Sequence, residues 1–438
     1  MSRVTRGGVS DGALTRAPSR SSTWVPLLPA SPLAAYLLIG HPALSVLAMG
    51  IVCLGLLAVC GPVAGSLCLV PLSLLGAVQS GGPIAALAGV AVVTMAVTLR
   101  SVHGHAEFRA SHAWIALLGL LLILSFVFPA VSSPSSPAPW TDLLGLLAGL
   151  TLLAAVTAVP PPPGAVARVT AVTGGLAGVY LLVVGDHADG RLEGLGLNPN
   201  YLGALLALPF VAAVGLTRLT HRPAWLVPAA ACLAAMAATQ SRGALAASTA
   251  GVAVVLVQGR ARSVQLAIVG AVVAIGAALP GAVGAAEHLV AGHRPDTELS
   301  LNTAVREHAA RLAAEVAAAH PFRGIGYGTF PAYAAKSPRL GLYIATHDDY
   351  LRLAAEAGLL TLVTFLILLW LGAGRRRSGD LSVARAIVIA YAVGLFFANQ
   401  LASLLISLPF WLSLGCLLAA SRRPQADHVR SSREEHHQ

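Results

Sequence analysis

The chain has 438 residues, 56% of them hydrophobic and 11% charged, with a mean hydropathy of +0.76 and a formal net charge of +10. A soluble domain of this size cannot bury that much apolar surface, so a water-soluble enzyme or binding module is excluded. In so apolar a chain, a basic excess answers to membrane orientation before it answers to nucleic acid, and no nucleic-acid partner is expected.

Residues 1–22 are rich in Ser, Gly and Arg and carry no early apolar core or cleavage-like end. They do not look like a signal peptide and read as a disordered cytosolic tail. Apolar runs then recur at 24–40, 42–60, 62–79, 83–99, 112–131, 141–158, 165–184, 200–216, 223–239, 243–258, 263–283, 349–372, 382–402 and 404–419. Each is close to the length a helix needs to cross a bilayer. The runs are continuous rather than alternating, which favours helices over a barrel. The expected fold is therefore all-α and polytopic, with about 12–14 transmembrane helices and one large extracytoplasmic loop. The domains read as a tail at 1–22, a transmembrane bundle at 23–283, a helical loop at 284–346, further transmembrane helices at 347–419 and a cytosolic tail at 420–438.

Cys53, Cys60, Cys68, Cys232 and Cys416 all lie in apolar runs without metal-ligand spacing. They read as small hydrophobes, and no metal or cofactor is expected.

If the N-terminus is cytosolic and the spans alternate, nineteen of the 28 basic residues fall on the cytosolic side, as the positive-inside rule requires. The other nine are Arg191, Arg242, Arg294, Arg306, Arg311, Arg323, Lys336, Arg339 and Arg352. They gather on the outer side in the second half of the chain. Either they are solvated loop charges paired with Asp186, Glu193, Asp296 and Glu307, or they build a site for an anion.

The outer segments also carry local motifs. In "GLGLNPNYLG" the glycines allow a turn, Pro199 starts a helix, and Asn198 or Asn200 caps it. "TQSRGAL" puts Arg242 at a corner between spans, where it either snorkels to the interface or meets a phosphate with parallel donors. In "NTAVREHAARLAAEVAAAH", Val305, Ala309, Leu312 and Val316 form one apolar stripe. Arg306 lies off that stripe in the first turn, where a cation opposes the helix dipole. "HPFRGIGYGTF" stops that helix at Pro321 and continues as a loop in which Gly324 and Gly326 permit close approach. Last comes "HDDYLRLAAEAGLL". Asp348 and Asp349 suit a helix N-terminus, and Asp348, Arg352 and Glu356 are spaced as an i, i+4 ladder. Glu356 is about two turns in and should face protein or a wet cavity. His347 stands at the water boundary, where an imidazole suits proton transfer.

Taken in order, these motifs over roughly residues 190–375 resemble the O-antigen ligase and polymerase superfamily of multi-spanning membrane glycosyltransferases. The resemblance implies a glycan donor on a polyprenyl diphosphate and a hydroxyl acceptor on a lipid or a growing saccharide. It implies that the chain sits in the inner membrane among its lipids, with both termini cytosolic and the active site extracytoplasmic. It matches His347 to the general base, Arg242 and Arg306 to the diphosphate-binding arginines, and Glu356 to an acidic residue after the histidine motif. Arg191 is added as a further anion-binding candidate, with Asn198, Asn200, Gly324, Gly326, Asp348 and Tyr350 as supporting residues. This sequence departs from the family pattern in having Asp348 where Asn is usual, and His308 near the position of an aromatic. The chemistry fits by itself: a diphosphate leaving group needs cations, the attacking hydroxyl needs one base, and a single displacement inverts the anomeric centre. A polymerase, a transporter or lipid flippase, and a non-catalytic scaffold are the alternatives. A transporter would call for charge midway through several spans, and these spans are almost bare of it.

Overall fold

A computed structural model of the chain describes residues 52, 55–56, 61–78, 87, 89–97, 110–130, 140–188, 190–257, 296–375 and 377–422. The expected spans at 24–40 and 263–283, most of that at 42–60, the expected N-terminal tail and the C-terminal tail beyond residue 422 lie outside the described residues. Elsewhere the chain is an all-α polytopic membrane protein. Its helices are α1 (Pro62–Val78), α2 (Ala110–Val127), α3 (Trp140–Ala158), α4 (Pro163–Val184), α5 (Pro199–Thr220), α6 (Leu226–Thr239), α7 (Arg242–Val257), α8 (Asp296–Ala319) and α9 (Phe330–Lys336). They continue with α10 (Asp349–Arg352), α11 (Leu359–Ala373), α12 (Asp380–Gly394) and α13 (Leu404–Ala419). Residues 89–97 are also helical. Four helices, α2 to α5, are both long and apolar enough to cross a bilayer outright; α1, α6, α7, α11 and α13 are shorter apolar helices.

Small residues let these helices approach closely, because lipid gives no hydrophobic drive for their association. On α4, a Cβ at Gly174 would overlap Pro209 of α5, and one at Gly178 would meet the Ala231 backbone of α6. On α3, Gly149 leaves room for the Trp411 indole of α13, which is fully buried and donates to Ser407 Oγ at 3.1 Å.

The structure corrects the sequence reading in three places. The run 349–372 is not one helix. It is the single turn α10, then a π-turn over Leu353–Ala357, then Gly358 at φ +90°, and only then α11. The run 382–402 is not one helix either: α12 ends at Gly394 and residues 395–403 fold as an irregular segment before α13. The loop before α5 holds a short antiparallel hairpin of β1 (Asp186–Ala188) and β2 (Arg191–Glu193), with Asp186 opposite Glu193.

The two ends of the bundle differ in character. Arg168, Arg218, Arg222, Arg375, Arg377 and Arg385 lie where α4 and α12 begin and where α5, α11 and α13 end. There Arg385 Nε donates to the Ala373 carbonyl at 2.7 Å, and Arg375 Nη1 to the Ser421 carbonyl at 2.7 Å. The hairpin, the 240–242 corner, the His347 motif and the 395–403 segment all lie at the opposite end, called the motif end below.

Candidate functional site

At the motif end polar groups hold the chain reversals. Asn198 caps α5, its side-chain oxygen accepting from the N–H groups of Asn200 and Tyr201 at 3.1 Å each. Asn200 does not cap. Its Oδ1 accepts from Arg191 Nη2 at 3.0 Å, while Arg191 Nε donates to the Thr239 carbonyl at 2.9 Å. Arg191 thereby ties the hairpin to the corner that presents Arg242. Arg242 is exposed at the first position of α7. Its neighbour Gly243 packs so closely on Phe397 that a Cβ there would overlap the Phe397 side chain. The corner thus rests on the 395–403 segment.

The same segment holds the His347 motif. The Thr346 hydroxyl lies 2.9 Å from the Asp348 carbonyl and 3.1 Å from Asn399 Oδ1. It spans His347, which takes a left-handed φ of +55°. Such a conformation is costly for a residue with a Cβ and persists where the surroundings impose it. Asp349 accepts from the N–H groups of Gln400 and Leu401 at 2.7 and 2.8 Å, and its own N–H donates to the Leu395 carbonyl at 2.9 Å. Tyr201, from the "NPNY" motif, donates to the Asn399 carbonyl at 2.8 Å. Tyr350 donates to the Ala392 carbonyl at 2.7 Å and packs on Phe396 with ring centroids 4.5 Å apart. The segment 395–403 is therefore the hub on which the "NPNY", "SRG" and "THDDY" motifs meet.

His347 is partly buried, and Arg306 of α8 acts on it electrostatically. Burial first, and the Arg306 charge second, bring its pKa down to about 4, so the imidazole is neutral at physiological pH. Asp348 lies beside it, but its carboxylate is turned to the start of α10, where Oδ1 accepts from the N–H groups of Tyr350 and Leu351 at 2.8 and 3.0 Å. Burial raises its pKa and those two N–H bonds oppose the rise. Asp348 thus serves as the cap of α10, a place where Asp and Asn are equivalent.

Glu356 sits elsewhere. It is 0% exposed, with Oε2 accepting from Gly328 N–H at 2.7 Å and from Arg352 Nε at 2.9 Å, and Oε1 from Phe330 N–H at 2.9 Å. It clamps the glycine loop to the start of α9. The loop also pairs through its backbone with the π-turn: Ile325 N–H to the Ala355 carbonyl and Gly326 N–H to the Glu356 carbonyl, each 2.9 Å. Gly324 at φ +62° abuts the Glu356 backbone so closely that a Cβ would overlap its carbonyl. Gly326, at φ +112°, lies against Pro129. Arg352 is 6% exposed and bridges Glu356 to Asp142 of α3 at 2.7 Å, with its guanidinium 4.9 Å from the Tyr327 ring centre. The i, i+4 ladder is thus half formed: Arg352 pairs with Glu356, while Asp348 caps a helix instead. On α8, Glu307 pairs with Arg311 at 2.5 Å, and Arg339 meets Glu315 at 2.5 and 2.7 Å. Among the described residues no cluster of His, Cys, Asp or Glu is arranged to hold a metal ion.

Asp142, Thr346, Asn399 and Tyr201 are members of this network that the sequence reading did not single out. Asp142 opens an otherwise apolar run, and Asn399–Gln400 is a polar pair inside one. Those interruptions were the available signal.

An apolar helical bundle whose motif end ties Asn198, Asn399, Asp349 and His347 into one polar network is a membrane protein built around a polar site. Residues 227–366 match the family model described as O-antigen ligase, which supports assignment to the O-antigen ligase and polymerase superfamily. That match supports reading the chain as a membrane glycan-handling enzyme. The matched range takes in Arg242, Arg306, His347 and Glu356, and leaves Arg191, Asn198, Asn200 and the 395–403 hub outside. No curated protein matches the chain.

Proposed function

We propose that this protein transfers a glycan from a polyprenyl diphosphate carrier to a hydroxyl of a lipid or saccharide, with inversion at the anomeric carbon. His347 is the base and Arg306 and Arg242 hold the diphosphate. The observation that carries this reading is the neutral, left-handed His347 under the influence of the Arg306 charge, on the hub that also supports the Arg242 corner. A base must be unprotonated to act, and His347 is.

The step balances simply. The acceptor oxygen attacks the anomeric carbon and its proton passes to a ring nitrogen of His347. The bond from that carbon to the diphosphate oxygen breaks, and the electron pair leaves with the diphosphate. Guanidinium groups stabilise that charge with paired donors and do not need to protonate it. Glu356 serves by position, since its three hydrogen bonds hold the glycine loop against the π-turn. Arg191 and Asn200 serve by fixing the 239–242 corner.

In this reading the motif end faces away from the cytosol and both termini lie in it, in the inner membrane. The arginines at the opposite end support that orientation. The test is the purified protein with a lipid-linked glycan donor and an acceptor. His347→Ala should fold and bind donor but not transfer, and the anomeric NMR of the wild-type product should show inversion. Retention, or transfer by His347→Ala at the wild-type rate, sinks the proposal.

A further inference from the structure

The basic end holds a recess of about 340 Å³ that the glycan-transfer chemistry does not use. It lies between the end of α5 and the start of α12 and is lined by Arg218, His221, Arg377, Ser378, Gly379 and Ser382 among others. Its cations come from separate parts of the chain. Arg218 is on the last turn of α5 and reaches the Val255 carbonyl with Nη1. Arg377 follows α11 and is steadied by the carbonyls of Leu417 and Ala420 at 3.2 and 3.3 Å. The Nε of Arg377 is buried with no hydrogen-bond partner among the described residues.

A second feature points the same way. α12 begins at the recess, its N-cap is Gly379 at φ +58°, and no side chain caps its first N–H groups. Those groups carry the positive end of the helix dipole. The one nearby carboxylate, Asp380, is directed elsewhere: it packs against Gly164 at the start of α4, where a Cβ would overlap Oδ2. Two guanidinium groups, an imidazole, the Ser378 hydroxyl and an uncapped helix start around one cavity are donors without a carboxylate acceptor among them, while the Ser382 hydroxyl donates to the Gly379 carbonyl at 2.5 Å. That is the donor set of a phosphate site.

We propose that this recess binds a phosphate group, the chemistry shared by an anionic phospholipid headgroup and free phosphate. The surroundings favour the lipid. A few residues beyond His221, Leu226 and Val227 are 52% and 72% exposed, an apolar surface for acyl chains beside the headgroup site.

The full chain in nanodiscs of phosphatidylglycerol or phosphatidylcholine tests it, with retained lipid read by native mass spectrometry and stability by melting. Wild type should keep phosphatidylglycerol through delipidation and melt higher in it. Arg218→Gln, by losing a charged hydrogen bond, and Ser378→Asp at the exposed rim, by setting a carboxylate against the anion, should each cut that retention about tenfold or more. Ser378→Asp keeps the test decisive if Arg218→Gln folds poorly. If millimolar inorganic phosphate raises the melting point in phosphatidylcholine and phosphatidylglycerol adds nothing, the anion site stands and the lipid is overturned as its source. Equal retention by wild type and both variants, with no response to phosphate, overturns the site itself.

Discussion

His347 gains nothing from its backbone conformation except direction. A φ of +55° on a residue with a Cβ costs about 1–3 kcal/mol, and the Thr346 hydroxyl and Asn399 hold it there. Its pKa sets the pH behaviour. Folding moves it from 6.5 to about 4, so the unfolded chain takes up the proton first. This group's contribution to stability is present in full above pH 6.5 and is lost as the pH falls toward 4. For catalysis, the acid limb of kcat/KM should lie well below pH 6.5. Arg306→Ala should move it upward, because the positive neighbour is gone, and should also weaken donor binding. In wild type the limb of kcat should lie above that of kcat/KM, because a bound diphosphate neutralises Arg306. A profile unchanged by Arg306→Ala would disconnect the two residues. His347→Ala should lower kcat by about 10²–10⁴-fold, the usual worth of a positioned base.

Glu356, Arg352 and the π-turn act as one element. Glu356→Ala takes one of the two carboxylates paired with buried Arg352 and strands the Gly328 and Phe330 N–H groups, so it should cost about 3–5 kcal/mol, read as a fall in melting temperature. Gly324→Ala and Gly358→Ala should also destabilise, since each needs a positive φ and meets a carbonyl. These residues were visible in the sequence as charges and glycines at the start of a span, but their arrangement was not. Hydropathy averages over a window, and a π-turn followed by Gly358 leaves the average untouched. The same averaging hid the 395–403 segment, where two polar residues stand among apolar ones. The cap at Asn198 and the stripe on α8 were legible because both depend on local spacing: Ala309, Leu312 and Val316 are all buried, and Val305 is half-buried.

At the scale of the whole molecule, the first half of the chain contributes more than hydropathy. Asp142 of α3 pairs with Arg352 at 2.7 Å and so ties that half to the motif end. Asp142→Asn keeps the shape but halves the charge facing Arg352. It should lower melting by less than Glu356→Ala, because Asp142 is 43% exposed and water screens it. Orientation is testable at the same scale. In intact cells an impermeant thiol reagent should label Tyr343→Cys, which is 72% exposed at the motif end, and should not label Ser378→Cys at the other. The reverse pattern would put the motif end in the cytosol and remove the proposed chemistry from its substrate.

Sequence by itself determined that this is a helical membrane protein with its unusual charges in the second half, because bilayer thickness and the cost of burying charge act on every residue separately. It also marked His347, Arg242 and Arg306. Only the tertiary structure decided their company: that the Arg306 charge acts on His347, that Asn399 joins the "NPNY" and "THDDY" motifs, and that Glu356 holds a loop. Those pairings join residues up to 198 positions apart, and no local rule of spacing reaches that far.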